Sequence, residues 1–171
     1  SVGKNARRVG DIESAEKHLK SALDKSEGVL RQKVLFDLWK LYLESEKMDE
    51  VDTLLSYYEE TGEYVIPRLK FIYTYTHYLG EKPEKTIELI ERFLKDEMPD
   101  IIRGPFLNLM GRVLQDLEKY RESMEYFDKA GRIYQDTDDE FNNAVAYLNK
   151  GLSLMRLDRY IEAVESLGRF L

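Results

Sequence analysis

Five stretches of the chain share one spacing of apolar and small positions. Ile12, Ala15, Leu19 and Ala22 follow one another at offsets of three, seven and ten residues. The same spacing returns at Met48, Val51, Leu55 and Tyr58, at Pro83, Thr86, Ile90 and Phe93, at Tyr120, Ser123, Phe127 and Ala130, and at Tyr160, Ala163, Leu167 and Phe170. Positions i, i+3, i+7 and i+10 lie on one face of an α-helix. The first members stand 36, 35, 37 and 40 residues apart, and a period of that size marks an array of similar units. A second helical segment precedes each stretch, so each unit is predicted to be a helix-turn-helix hairpin. Gly3, Gly111 and Gly151 each fall nine residues before a stretch begins. A mid-helix glycine costs about 1 kcal/mol relative to alanine, and its recurrence at one offset predicts a close crossing of the paired helices.

Local punctuation refines the pattern. Pro83 suits the first turn of a helix, where its missing N–H is not needed, and Gly28 and Gly62 fall at hairpin boundaries. In the third unit the stripe Leu69, Ile72, Tyr73, Thr76 places Gly80 at the turn, and the second helix, opening at Pro83, starts one residue late. One inserted residue is therefore expected in that turn. Pro99 begins another helix, and Gly104-Pro105 predicts a kink or a short helix before the fourth unit. The joint before the fifth unit is longer: a helix to about Tyr134, then a turn at Gln135-Asp136-Thr137-Asp138, with Thr137 or Asp138 capping the next helix. Trp39 stands nine residues before Met48, at the otherwise small position, which predicts a wider or different crossing in the second unit.

Leu107, Met110-Gly111, Leu114, Tyr120, Ser123, Phe127 and Ala130 together resemble the tetratricopeptide repeat (TPR), and Tyr147, Gly151, Leu154, Tyr160 and Ala163 resemble it again. Trp39 at the small position and Lys150 in place of the usual leucine depart from it. The resemblance implies an all-α, right-handed α-solenoid of about five TPR-like hairpins, the first one truncated. They are expected at roughly 1-27, 30-60, 64-97, 100-135 and 138-171, as a single repeat domain. The longer repeats are similar in length to those of bacterial signalling regulators and kinesin light chains, a likeness that carries no function. The spacing puts Ser1 about six residues into a first helix and Leu171 at the end of a last one. A piece of a longer protein is therefore expected, with Val164, Leu167 and Phe170 as an uncovered face for docking another domain or subunit.

Composition narrows the function. The 171 residues are 35% charged and 43% hydrophobic, with 10 Gly and 4 Pro, a profile of long helices rather than disorder. No apolar run reaches the length of a membrane span, so no membrane insertion is expected. The absence of cysteine excludes disulfides, thiolate catalysis and Cys-ligated zinc, and leaves a cytoplasmic location as the default. A net charge of -7 argues against nucleic acid as a partner, since phosphate contacts need clustered cations. His18 and His77 lie in different hairpins without the spacing of metal ligands and are read as structural. No phosphate loop, GxGxxG or GxSxG motif occurs, so no enzyme activity, cofactor or metal is expected.

In the TPR family the first helix of each hairpin lines an inner surface that meets ligands. The resemblance thus implies a groove set of Lys33, Phe36 and Lys40 (with Leu43), Lys70, Thr74 and Tyr78 (with Phe71 and Tyr75 as an alternative pair), and Asn108, Arg112 and Gln115. Leu148, Leu152 and Met155 make its far end apolar. Basic groups pair with carboxylates and aromatics add contact area, so a peptide or protein segment is the expected partner. The rival reading is that these side chains cover neighbouring helices. The set by which co-chaperone TPR domains hold a terminal carboxylate is not matched, because Phe36, Lys40, Pro105 and Leu109 occupy its places. Two further readings stay open: an oligomerisation or assembly domain docking through the last hairpin, with self-association, and a peptide-sensing domain of a regulator.

Overall fold

The computed structural model describes the backbone of residues 2–61 and 67–168, and the side chains of 11–57 and 67–168. Among the described residues there are helices and turns and no strand. The helices are α1 (Val2–Asp24), α2 (Gly28–Glu44), α3 (Met48–Thr61), α4 (Pro67–Leu79), α5 (Pro83–Phe93), α6 (Asp100–Asp116), α7 (Tyr120–Asp136), α8 (Glu140–Arg156) and α9 (Tyr160–Leu167). Gly62 and Phe170, singled out above, lie outside the described residues, as do the surroundings of Gly3 and the side chain of Tyr58.

One turn design recurs. After α2, α4, α6, α7 and α8 the chain turns in three residues, the middle one left-handed: Glu46 (φ 58), Glu81 (φ 54), Glu118 (φ 60), Asp138 (φ 54) and Asp158 (φ 58). The next backbone N–H reaches back to the last helical turn, as in Lys47 N to Tyr42 O (2.9 Å), Lys119 N to Leu114 O (2.8 Å) and Arg159 N to Leu154 O (3.0 Å). The left-handed residue itself donates to a nearer carbonyl, as in Glu118 N to Gln115 O (3.0 Å). This bond pair is the Schellman cap, which satisfies carbonyls a helix end would otherwise leave open.

Several expectations change with it. The turn at Gly80 is as short as the others, so it contains no inserted residue, and Thr74 rather than a slipped neighbour stands nine residues before Pro83. The truncated first hairpin is one continuous helix, α1. The helix runs through Gly10 and Asp11 without a turn. The helix before the long joint runs two residues past Tyr134, and Asp139 caps α8, accepting from Asn142 N at 3.1 Å. Asp138 cannot serve, because it holds the left-handed position of the preceding cap. At Gly104-Pro105 no separate short helix forms: α6 runs through Pro105. Proline removes one backbone donor there, while Phe106, Leu107 and Leu109 around it are buried.

The helices sort into two compact units, residues 1–73 and 74–171. In the first, Leu35, Leu38, Trp39 and Tyr42 of α2 pack with Val51, Leu55, Leu69 and Tyr73 in the buried interior. The Trp39 ring lies 6.0 Å from that of Tyr73. α2 meets α3 over fewer residues than α6 meets α7, the wider crossing that a tryptophan at the small position implies. Glu16 of α1 gathers Lys20 (2.7 Å), Lys47 (2.6 Å) and the Tyr42 hydroxyl (3.1 Å). Its bonds to Lys20 and Lys47 hold the carboxyl well below its usual range, from 4.5 down to about 2.

In the second unit the close crossing is explicit. A Cβ built on Gly111 would stand 2.5 Å from the Phe127 ring, and one on Gly151 3.0 Å from Leu167. Gly104 is as tight, with Tyr134 at 2.7 Å. Phe93 and Phe106 meet edge to face at 6.1 Å.

Two outcomes follow. Gly111→Ala puts a methyl into the buried Phe127 ring. Overpacking of about 1–3 kcal/mol outweighs the roughly 1 kcal/mol gained in helix propensity, and calorimetry should show a Tm lower by several degrees. Glu16→Gln removes a carboxylate whose folded pKa is depressed, so the stabilisation it contributes is complete above the unfolded value and disappears as pH falls toward 2. The variant should melt a few degrees lower at pH 7, a solvent-screened, part-buried network being worth about 1 kcal/mol, and the difference should close between pH 4.5 and 2.

Candidate binding surfaces

The three-residue turns align the first helices of the hairpins without gaps. Lys33, Phe36, Lys40 and Leu43 of α2 correspond to Arg68, Phe71, Tyr75 and Tyr78 of α4, to Pro105, Asn108, Arg112 and Gln115 of α6, and to Val145, Leu148, Leu152 and Met155 of α8. Lys70 and Thr74 fall outside this set. Thr74 is fully buried, and Lys70 is half-buried on another face of α4.

In the first unit Lys33 and Lys40 are exposed and Phe36 is half-buried between them on α2. Lys40 lies 3.7 Å from Glu44 one turn along.

The second unit brings together a tighter group. The Arg112 guanidinium stands 4.8 Å over the centre of the Tyr78 ring. The Tyr78 hydroxyl donates to Asp116 Oδ2 at 2.9 Å, and the Tyr75 ring lies 5.8 Å from that of Tyr78. Burial, and then the bond to Asp116, raise the Tyr78 phenol above its ordinary pKa, so it stays protonated as a donor. Beside this stack opens a cleft of about 520 Å³. Leu79, Pro83, Val113 and Leu117 give it apolar walls, and Glu81, Arg112 and Asp116 give it charged edges. Cation–π stacking holds a guanidinium flat and limits its freedom, which prepares its edge for an incoming carboxylate or carbonyl.

The other two α6 residues stand differently. Gln115 donates to Asn149 O at 3.0 Å and to Ser153 Oγ at 2.9 Å, joining α6 to α8. Ser153 in turn shares a 2.8 Å hydrogen bond with Ser123. Asn108 is half-buried, and its side-chain oxygen is enclosed without a hydrogen-bond partner among the described residues. Asp116 was not singled out in the sequence, although it sits one helical turn beyond Arg112. Tyr75 entered only as an alternative.

At the last hairpin Val164 is exposed and Leu167 half-buried against Gly151. Leu148, Leu152 and Met155 are exposed on α8, and a cavity of about 250 Å³ opens among Phe141, Ala144, Val145, Leu148 and Leu167. His18 bonds the Ser14 carbonyl through Nδ1 at 2.8 Å, and His77 is buried in α4. Among the described residues no helix is long and apolar enough to cross a membrane.

Comparison with known proteins bears on the fold. Residues 105–137 match the tetratricopeptide repeat family. No curated protein shows significant similarity to the chain. Among solved structures, MamA aligns over 99% of this chain and 92% of its own at a TM-score of 0.69 and 16% identity. A kinesin light chain from Podosopora anserina with nearly identical TPR-like repeats aligns over 99% and 90% at 0.64 and 12%. PlcR from Bacillus thuringiensis, in complex with the peptide PapR7 and DNA, aligns over 94% and 64% at 0.62 and 15%. Residues 105–137 are a tetratricopeptide repeat, carried in an all-α chain that has the fold of tetratricopeptide-repeat proteins.

Proposed function

We propose that the chain is a non-enzymatic scaffold that binds a peptide or protein segment, anchored in the second unit at Tyr78, Arg112 and Asp116. The observation that carries this reading is the cleft of about 520 Å³ beside a guanidinium already stacked on an aromatic ring. Its walls suit an apolar or aromatic side chain, and Arg112 suits a carboxylate or carbonyl next to it. The position of the cleft supports the reading too. Tyr75, Tyr78 and Arg112 occupy the register that TPR proteins use for ligands, whereas Gln115, in the same register, is occupied with α8. Lys33, Phe36 and Lys40 on α2 form a separate basic-aromatic surface of the first unit.

The peptide-sensing alternative rests on the likeness to PlcR, which was solved with a peptide. At 15% identity that likeness speaks for fold and not for ligand. The assembly alternative has an observation of its own, the exposed apolar face of α8.

Selection from a random peptide library tests the proposal. Binders should carry an aromatic or aliphatic residue beside Asp or Glu. Arg112→Glu and Tyr78→Ala should each weaken them at least tenfold. Selected binders indifferent to both Arg112→Glu and Tyr78→Ala, or no binders at all, would overturn the reading.

A further inference from the structure

We propose that the chain pairs with a second copy of itself through α8, the two α8 helices lying antiparallel about a two-fold axis at Leu148. The surface concerned is apolar and open: Phe141 is 77% exposed, Leu148 48%, Leu152 44% and Met155 45%. Scattered exposed apolar residues are ordinary, but a continuous helical stripe of them marks an interaction surface.

The chain itself shows what such a face receives. Forty residues earlier, in the same register, stand Asn108 and Gln115 of α6, and Gln115 is covered by α8. The α8 stripe therefore continues a stacking face already in use within the fold. The chemistry differs between the two. α6 offers an amide to Asn149 and Ser153, polar to polar. Leu148, Leu152 and Met155 have no donors or acceptors to offer such a helix, and they need an apolar mate.

α8 supplies that mate, because its stripe is symmetric about Leu148 to within one residue. Phe141 lies seven residues before Leu148 and Met155 seven after, with Val145 and Leu152 between. An antiparallel pair thus sets Leu148 on Leu148 of the copy, Phe141 on its Met155, and Val145 on its Leu152. Leu152 of the copy then enters the cavity beside Val145. At a rise of 1.5 Å per residue the outer contacts fall about 10 Å from the axis on each side.

Charge selects the same orientation. Asp138, Asp139 and Glu140 stand at the start of α8 and Arg156 at its end. Antiparallel packing brings each acidic start toward the copy's Arg156 and opposes the two helix dipoles. Parallel packing would place acidic start on acidic start. An isologous contact of this kind closes at two copies.

Sedimentation velocity over a range of concentrations is the first test: the chain should form a dimer. Leu148→Glu should shift it to monomer, since two carboxylates then face each other at the axis, and Leu148→Lys should do the same. Mixing the two variants should restore a dimer, which only a residue facing its own copy can do. The chain has no cysteine, so Leu148→Cys carries a single thiol. On oxidation it should form a disulfide-linked dimer, whereas Ile161→Cys, 79% exposed on α9, should not. Circular dichroism checks that the charged variants stay helical; if they do not, the cysteine pair decides. A chain monomeric at every concentration, a dimer indifferent to Leu148→Glu, or equal cross-linking at both cysteines overturns the proposal. The readout needs no ligand for the cleft. A monomer with Arg112-dependent peptide binding sinks this inference alone, and a dimer without such binding sinks the other.

Discussion

The contact between Gly111 and the face of Phe127 sets the geometry that the second unit depends on. With a Cβ excluded at 2.5 Å, α6 and α7 approach until backbone meets ring, and Met110, Val113 and Leu114 are buried around that point. Gly151 and Leu167 repeat the arrangement between α8 and α9. Dispersion falls off steeply with separation, so a crossing one methyl wider forfeits much of the packing along both helices. The first unit solves the same problem in another way. Trp39, at the equivalent position, is too large for close approach, and it fills the wider gap itself, buried and set against Tyr73.

Close crossing works only if the paired helices leave their turn at a fixed angle, and the Schellman caps provide this. Each places an acidic residue in the left-handed region, where a Cβ costs about 1–2 kcal/mol. Two backbone bonds per cap offset that cost by satisfying carbonyls at the helix end. The basic residue that follows in four of the five turns, Lys47, Lys82, Lys119 or Arg159, sits at a helix start, where the dipole disfavours it. Lys47 and Arg159 are used elsewhere, on Glu16 and Glu162. At the remaining turn, after α7, Asp139 replaces the base and caps α8 through Asn142.

The helical faces were legible because burial enforces periodicity: Ser123, Phe127, Ala130 and Ala163 stand where the spacing puts them, all buried. The turns were harder. Their signal is an acid–base dipeptide, Glu81-Lys82 for instance, and not the glycine a left-handed residue usually calls for. Gly80 therefore drew the turn one place early and suggested an insertion that is absent. That slip moved the α4 register, so Thr74 was counted as a surface residue although it is buried. The candidate site was legible in part. Tyr78 and Arg112 follow from register alone, whereas the role of Asp116 depends on a hydroxyl from a helix 38 residues away, which no local pattern encodes. Gln115 shares that register and is used within the chain, a distinction that only three-dimensional contact makes.

The residues that hold the fold are distinct from those that vary between repeats. The positions that pack the hairpins stay small or apolar from one copy to the next, except where a larger side chain makes up the gap. The positions equivalent to Phe36 and Leu43 change class entirely, to Phe71 and Tyr78, then Asn108 and Gln115, then Leu148 and Met155. Because they lie on the other face of the first helix, such changes go with the same kind of crossing: a glycine meets the second helix closely both in α6, which carries Gln115, and in α8, which carries Met155. Where the exchange yields amides, a helix of the same chain is taken up, as at Gln115. Where it yields aromatics beside Arg112, a cleft stays open. Where it yields an apolar stripe, as on α8, the stripe stands exposed. The second helices have no comparable freedom, since their apolar faces are committed to the hairpin, and the variation between repeats therefore falls on the first helices.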